Sequence, residues 1–215
     1  MDITYLGHSS FRLRGKSASL VTDPYDSKMV GFKYPKVSAD IVTVSHQHED
    51  HNAFGQIKDY KKVIEGPGEY EISGVSVIGI STFHDDKKGE SRGRNTIYVI
   101  EMDDVRLVHL GDLGHKISEI LMGKIGSVDI LMIPVGGEYT INDSVAAEIV
   151  RNIEPTITIP MHYQLKGLNP KIFKKLAKVD GFLSEVGLSV ERTNKLSFKK
   201  SDIGEDQRVI VLERK

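Results

Sequence analysis

Short apolar runs dominate the first two thirds of the chain. They fall at 3–7, 11–14, 19–22, 41–44, 62–64, 75–82, 96–101, 105–110 and 129–134, and Gly, Pro, Asn or Asp punctuates nearly every junction. Runs of this length, rich in β-branched residues and bounded by turn formers, predict strands. Helical spacing comes later. Thr140 followed by Asp143 has the form of a capping box, and Ile141, Val145, Ile149 and Ile153 then recur every four residues until Pro155. A second helix is expected to start at Asn169-Pro170 and to present Ile172, Phe173, Leu176 and Ala177 on one side, with Gly181 interrupting it. Weaker helical stretches follow His51 and His115, and strands return at 195–199 and 208–212. Strand clusters alternating with single helices predict an α/β fold of two sheets covered by helices, rather than a doubly wound parallel sheet. No linker, repeat or low-complexity tract divides residues 1–215, so a single domain is expected.

Composition narrows the possible functions. The 29 Lys and Arg against 30 Asp and Glu leave a formal charge of −1, which offers no basic surface for general phosphate-backbone binding, and nucleic acid is not an expected partner. No run of about 18 apolar residues and no export signal is visible, so neither a membrane span nor secretion is expected. The chain has no cysteine, which removes disulfides, thiolate metal sites and a cysteine nucleophile; a cytoplasmic enzyme fits this picture.

The chemically informative stretch is 41–51, where an apolar strand runs into Ser45-His46-Gln47-His48-Glu49-Asp50-His51. His46 and His48 are two residues apart and can point toward one cation, while Asp50 and His51 lie round the following turn. Four ligand side chains within six residues crowd a single tetrahedral ion that also needs an open position. Two neighbouring ions are the more economical reading. With nitrogen and oxygen donors alone, zinc is the first expectation, and manganese or iron are alternatives.

His46-Gln47-His48-Glu49-Asp50-His51 resembles the signature of the metallo-β-lactamase superfamily, and further pieces follow in order: His84 after the strand 75–82, Gly111-Asp112 after 105–110, and Pro160-Met161-His162-Tyr163. The resemblance implies a four-layer αβ/βα sandwich with a dinuclear metal site at one edge of the sheets. It implies His46, His48 and His84 as one ligand set, Asp50, His51 and His162 as the other, and Asp112 as the bridging aspartate. A metal-bridging water or hydroxide would then attack a small ester, lactone, amide or phosphoester, with Asp50 and Asp112 serving catalysis. Gly7-His8-Ser9, Thr22-Asp23-Pro24 and His109-Leu110-Gly111-Asp112 resemble the subgroup that includes L-ascorbate-6-phosphate lactonase and the N-acylphosphatidylethanolamine phospholipase D.

Several other residues carry two readings each. Asp23 either accepts a hydrogen bond from a ligand histidine or simply precedes proline in a turn. His8 and His115 flank the motifs and are candidates for substrate or supporting contacts, whereas His109, in an apolar strand, reads as a core residue. Tyr139 and Tyr163 either donate to an anionic intermediate or pack against the pocket wall. The charged segment 85–95 offers either a lid, with Arg92 or Arg94 clamping a carboxylate or phosphate of a small anionic substrate, or a solvated connection. Gly136 and Gly137 read as turn residues. Within the superfamily, the missing cysteine excludes β-lactamases with a cysteine ligand, and His48 argues against redox diiron members. A strand-like tail argues against glyoxalase II-like members. The competing function is a non-catalytic, metal-dependent ligand-binding or regulatory protein.

Overall fold

The computed structural model describes Met1–Arg214. One sheet has the order β13-β1-β2-β3-β4-β5, built from β1 (Asp2–Gly7), β2 (Ser10–Arg14), β3 (Ser19–Thr22), β4 (Ile41–Thr43), β5 (Lys62–Ile64) and β13 (Leu196–Ser197). The other has the order β12-β14-β11-β10-β9-β8-β7-β6. It is built from β6 (Gly68–Ile72), β7 (Val75–Phe83), β8 (Arg94–Met102), β9 (Val105–His109), β10 (Ile130–Pro134), β11 (Ile157–Met161), β12 (Ser189–Thr193) and β14 (Arg208–Leu212).

Alternation decides the layers. Ile3, Phe11, Leu13, Leu20 and Ile41 of the first sheet meet Val77, Ile100, Leu107, Met132, Ile159 and Ile210 of the second in one buried core. The opposite faces bury Val21, Val42 and Val44 beneath Val30 and Phe173, and Val99, Val108, Leu131 and Val209 beneath Ala146, Ile149, Val150 and Phe182. Helices therefore flank both sheets: α1 (Ser27–Val30) and α4 (Pro170–Phe173) on one side, α2 (Glu119–Ile125), α3 (Asp143–Ile153) and α5 (Val179–Val186) on the other. This is the expected four-layer α/β sandwich. No helix among the described residues is long and apolar enough to cross a membrane.

Several local expectations shift. Helix α3 is capped by Asn142, whose side chain accepts from the Val145 N–H, rather than by Thr140, and it ends at Ile153 with Glu154 in a left-handed conformation before Pro155. The second helical stretch breaks at 174–178, not at Gly181. Gly181 lies inside α5, where a Cβ would come 2.7 Å from Asp143 Oδ2 at the start of α3. After His51 the chain makes only a 3-10 turn, Phe54–Gln56. Strands β6, β11 and β12 lie outside the runs read from the sequence, and β11 carries Pro160 although it is a central strand. Its neighbour β14 pairs only with Ile157 and Thr158, so the missing Pro160 N–H lies beyond that ladder.

Candidate metal centre

Strand direction assembles the site. In the first sheet β1 and β3 are each antiparallel to β2, and β4 is parallel to β3; in the second, β7 and β9 are each antiparallel to β8, and β10 and β11 follow β9 in parallel. The carboxyl ends of β1, β3, β4, β7, β9 and β11 release His8, Asp23, the 45–51 turn, His84, Asp112 and His162. These side chains gather in two groups, linked by a third set of Asp23, His46 and His51. Donor atoms of His46, His48 and His84 lie within 4.8 Å of one another, and so do those of His8, Asp50, His51 and His162.

Asp112 stands between the groups. Its Oδ2 lies 3.2 Å from Nε2 of both His51 and His162, 3.3 Å from Nε2 of His84 and 4.0 Å from Nε2 of His46. Its backbone is fixed by Asn95, whose Oδ1 accepts from the Asp112 N–H at 3.0 Å while Nδ2 donates to Thr82 and Leu110. Gly111, at φ 56°, allows this approach, because a Cβ there would lie 2.3 Å from Asn95 Oδ1.

The supporting hydrogen bonds set the imidazole tautomers. Asp23, fully buried, accepts from the Ser45 N–H (2.8 Å), the Ser45 hydroxyl (2.5 Å) and His51 Nδ1 (2.8 Å). Ser45 gives its only proton to Asp23, so its Oγ accepts from His46 Nδ1 at 2.9 Å. Both rings therefore carry hydrogen on Nδ1 and turn Nε2 toward the cluster, where on His51 a cation would replace the proton that Asp112 and Asp50 favour there. Burial, reinforced by the neighbouring imidazoles, pushes His46 and His48 below the ordinary histidine range. Burial opposes ionisation of Asp112, but His162 and His51 outweigh it and hold the carboxyl well below its usual value.

These donors fit divalent cations. Nε2 of His46, His51 and His162, together with Asp112 Oδ1, are buried without a hydrogen-bond partner. Lone pairs left bare inside a protein are costly. Converging neutral imidazoles and ionised carboxylates would recover that cost by ligating a metal.

A cavity of about 410 Å³ opens onto the cluster, lined by His48, Asp50, His84 and Asp112, by Met29, Tyr139, Ile172 and Phe173, and by one cation, Arg92. A second groove of about 350 Å³ lies on the other side of His48 and is lined by Arg92, Arg94 and the 65–67 turn. The segment between them is not a loose lid. The Asp85 carboxylate accepts four backbone N–H groups, from Lys87, Gly89, Ser91 and Arg92, at 2.7–2.9 Å. Arg92 in turn lies 4.9 Å from the Tyr139 ring centre and donates to Glu138 O.

Not every candidate joins the site. Tyr139 lines the cavity, but its hydroxyl donates to Ile172 O (2.7 Å), which makes it wall rather than donor. Tyr163 is buried on the helical side and lines a separate cavity with Gln164 and Arg192. His115 accepts from the Phe83 N–H and bonds Lys116 O, so it braces the end of β7. His109 is a core residue bonded to Ser9 O and to the Gly111 N–H. His8 does join the cluster, but at 1% exposure it sits beneath Asp50, out of a substrate's reach. Sequence reasoning missed Ser45, Asp85 and Asn95. Ser45 directly precedes the first histidine; Asp85 and Asn95 bracket the charged segment and gave no separable signal. Gly136 does more than turn the chain, since a Cβ there would stand 2.1 Å from His162 O; Gly137, at φ 78°, serves the turn.

Residues 2–162 match the family model described as the beta-lactamase superfamily domain. The chain therefore belongs to the metallo-β-lactamase superfamily, and within it to the UPF0173 metal-dependent hydrolases. A relative of that name from Thermoplasma acidophilum is 31% identical over 84% of this chain and 92% of its own. Another, from Thermococcus onnurineus, is 29% identical over 82% of this chain and 92% of its own. A crystal structure from Thermotoga maritima, assigned as a Zn-dependent hydrolase of the metallo-beta-lactamase superfamily, superposes with a TM-score of 0.83 at 36% identity. That alignment covers 100% of this chain and 99% of the other.

Proposed function

We propose that the protein is a dinuclear zinc hydrolase acting on a small, partly apolar, anionic ester, lactone, amide or phosphoester. His46, His48 and His84 would hold one ion, Asp50, His51 and His162 the other, and Asp112 would be shared. The observation that carries this reading is the position of Asp112 Oδ2, within 3.3 Å of an imidazole nitrogen from each group. Two divalent ions would make a water acidic enough to attack near neutral pH and would stabilise the charge that develops on the substrate.

The chain's own residues supply the rest. Asp50 faces the cavity and would orient the attacking water by accepting its hydrogen. Asp23 and Ser45 keep His51 and His46 in the tautomer that ligation requires. Met29, Ile172 and Phe173 offer an apolar wall that excludes water from one side of the reacting bond. Arg92, already fixed at the cavity rim, would pair with an anionic group of the substrate, and Arg94 would extend that attraction into the neighbouring groove. Resemblance of the Gly7–Ser9, Thr22–Pro24 and His109–Asp112 segments to the L-ascorbate-6-phosphate lactonase subgroup supports lactones and phosphoesters as the first substrates to try.

Elemental analysis after zinc reconstitution, followed by hydrolysis of matched neutral and anionic substrates, tests this. Two ions per chain, turnover abolished by chelation, and a preference for the anionic substrate are expected. Arg92→Ala should cost the anionic substrate about 1.5–3 kcal/mol in kcat/KM and the neutral one little. Two bound ions without turnover of the whole panel would favour the metal-dependent binding protein. A stoichiometry near zero would sink the reading.

A further inference from the structure

The turn between β1 and β2 carries two consecutive positive φ angles, 121° at Gly7 and 56° at His8. A histidine in the left-handed region is uncommon. This one is fastened from two directions: its carbonyl accepts the Tyr5 hydroxyl at 2.8 Å and the His162 N–H at 3.0 Å. The ring is thereby set against His162 and Phe173, with centroids 4.2 and 4.9 Å away. Its Nε2 lies 3.1 Å from Asp50 Oδ2. An ionised carboxylate only accepts, so the His8 proton sits on Nε2. The remaining ring nitrogen, Nδ1, is buried without a partner.

Asp50 needs such an anchor. It follows three exposed residues, Gln47, His48 and Glu49, in an irregular turn after β4 whose backbone bonds, from the His51 and Asn52 N–H to His48 O and from the Asp26 N–H to Glu49 O, leave the carboxylate itself unheld. A carboxylate there can rotate, and a ligating carboxylate is held in place by a hydrogen bond of its own. His8 supplies that bond from the side away from the cavity, which Asp50 lines and His8 does not.

We propose that His8 is the positioning residue of Asp50: its Nε2–H fixes the carboxylate, whose Oδ2 also lies 3.7 Å from His51 Nε2, in the orientation that faces the second ion position. The inference rests on the reading of Asp50 as a ligand in the preceding section. It makes the N-terminal turn part of the metal centre, contributing through Asp50 rather than by touching ion or substrate.

Zinc affinities of wild type, His8→Leu and His8→Gln, measured by competition with a chromophoric chelator, test it. In His8→Leu one of the two ions should bind about 10–100-fold more weakly while the other is unchanged. His8→Gln, whose amide reaches about as far as Nε2, should recover most of the loss. In an Asp50→Ala background His8→Leu should cost nothing further, because the contact it removes is already gone. Wild type that binds two ions with His8→Leu indistinguishable from it overturns this inference alone; wild type that binds none overturns the dinuclear reading and this inference with it. Should His8→Leu fail to fold, a long-range ¹H–¹⁵N spectrum of the wild-type imidazoles decides. An Nε2–H signal for His8 before and after zinc loading supports the assignment. An Nδ1–H tautomer, or a His8 Nε2 that becomes metal-bound, overturns it.

Discussion

Asp85 turns a charged segment into a fixed wall. Burial would raise its pKa, but four backbone N–H donors outweigh that and bring it down to about 2, from an ordinary 3.8. A carboxyl depressed in this way contributes order fully above the ordinary value and loses it as pH falls toward the lowered one. Amide-exchange protection at Lys87, Gly89, Ser91 and Arg92 should therefore be present at pH 5 and should fade as pH approaches 2, while Asp85→Ala should abolish it at both. Unchanged protection in the variant would show that the segment is held by something else. The identity of residue 85 says nothing of this in the sequence, where it is one of five charged residues between His84 and Arg92. The partner N–H groups belong to the backbone, so no side-chain pattern announces them.

Elements meet at the site by direct backbone contact, and small residues make that possible. The turn after β10 comes so near the end of β11 that a Cβ on Gly136 would overlap His162 O at 2.1 Å. Both atoms of that clash are tied to backbone, so nothing flexible can yield. Gly136→Ala should destabilise the fold by about 1–3 kcal/mol through overpacking and should weaken the ion that His162 is proposed to hold. Melting temperature and zinc titration on one preparation check this; an unaltered melt would mean that the turn can move aside. Packing also decides the helix boundaries. Gly181 reads as a helix breaker because glycine lowers helix propensity by about 1 kcal/mol against alanine, yet α5 runs through it, with Val179 and Phe182 packed against Ala146, Ile149 and Val150 of α3. Tertiary contact reversed the local preference. Most strands kept their predicted positions to within a residue or two, since their apolar alternation is set by the two-residue repeat and does not depend on what lies opposite.

Across the whole molecule, each proposed ion would join the two sheets. His46, His48, Asp50 and His51 follow β4 in the first sheet, whereas His84, Asp112 and His162 follow strands of the second. Ligands from both halves mean that an ion binds the folded chain and not the unfolded one, so occupancy should stabilise the protein by mass action. At free zinc 100 times the dissociation constant, one site adds about 2.7 kcal/mol. For a chain of this size that corresponds to a melting shift of roughly 5–10 °C. Differential scanning calorimetry across a zinc series, with chelator as the zero point, measures it. A melt independent of zinc would show that no ion holds the two halves together.

The sequence by itself determined the strand runs, the principal helix, the family resemblance and the inventory of chemistry-bearing residues, because periodicity and the six-residue motif at 46–51 are local properties of the chain. It also brought Asp23 forward, since an aspartate ending a strand is a natural partner for a ligand histidine. The resemblance named five of the eight histidines as ligands, but only the tertiary structure brought them together and added His8. His8, His84 and His162 are separated by most of the chain and meet because β1, β7 and β11 all end at the same edge. It also turned Tyr163 away from the site, committed the Tyr139 hydroxyl to Ile172, and placed Ser45 between Asp23 and His46. Those outcomes depend on strand direction and on the angle at which each chain segment leaves its sheet, and neither is written in residue types along the chain.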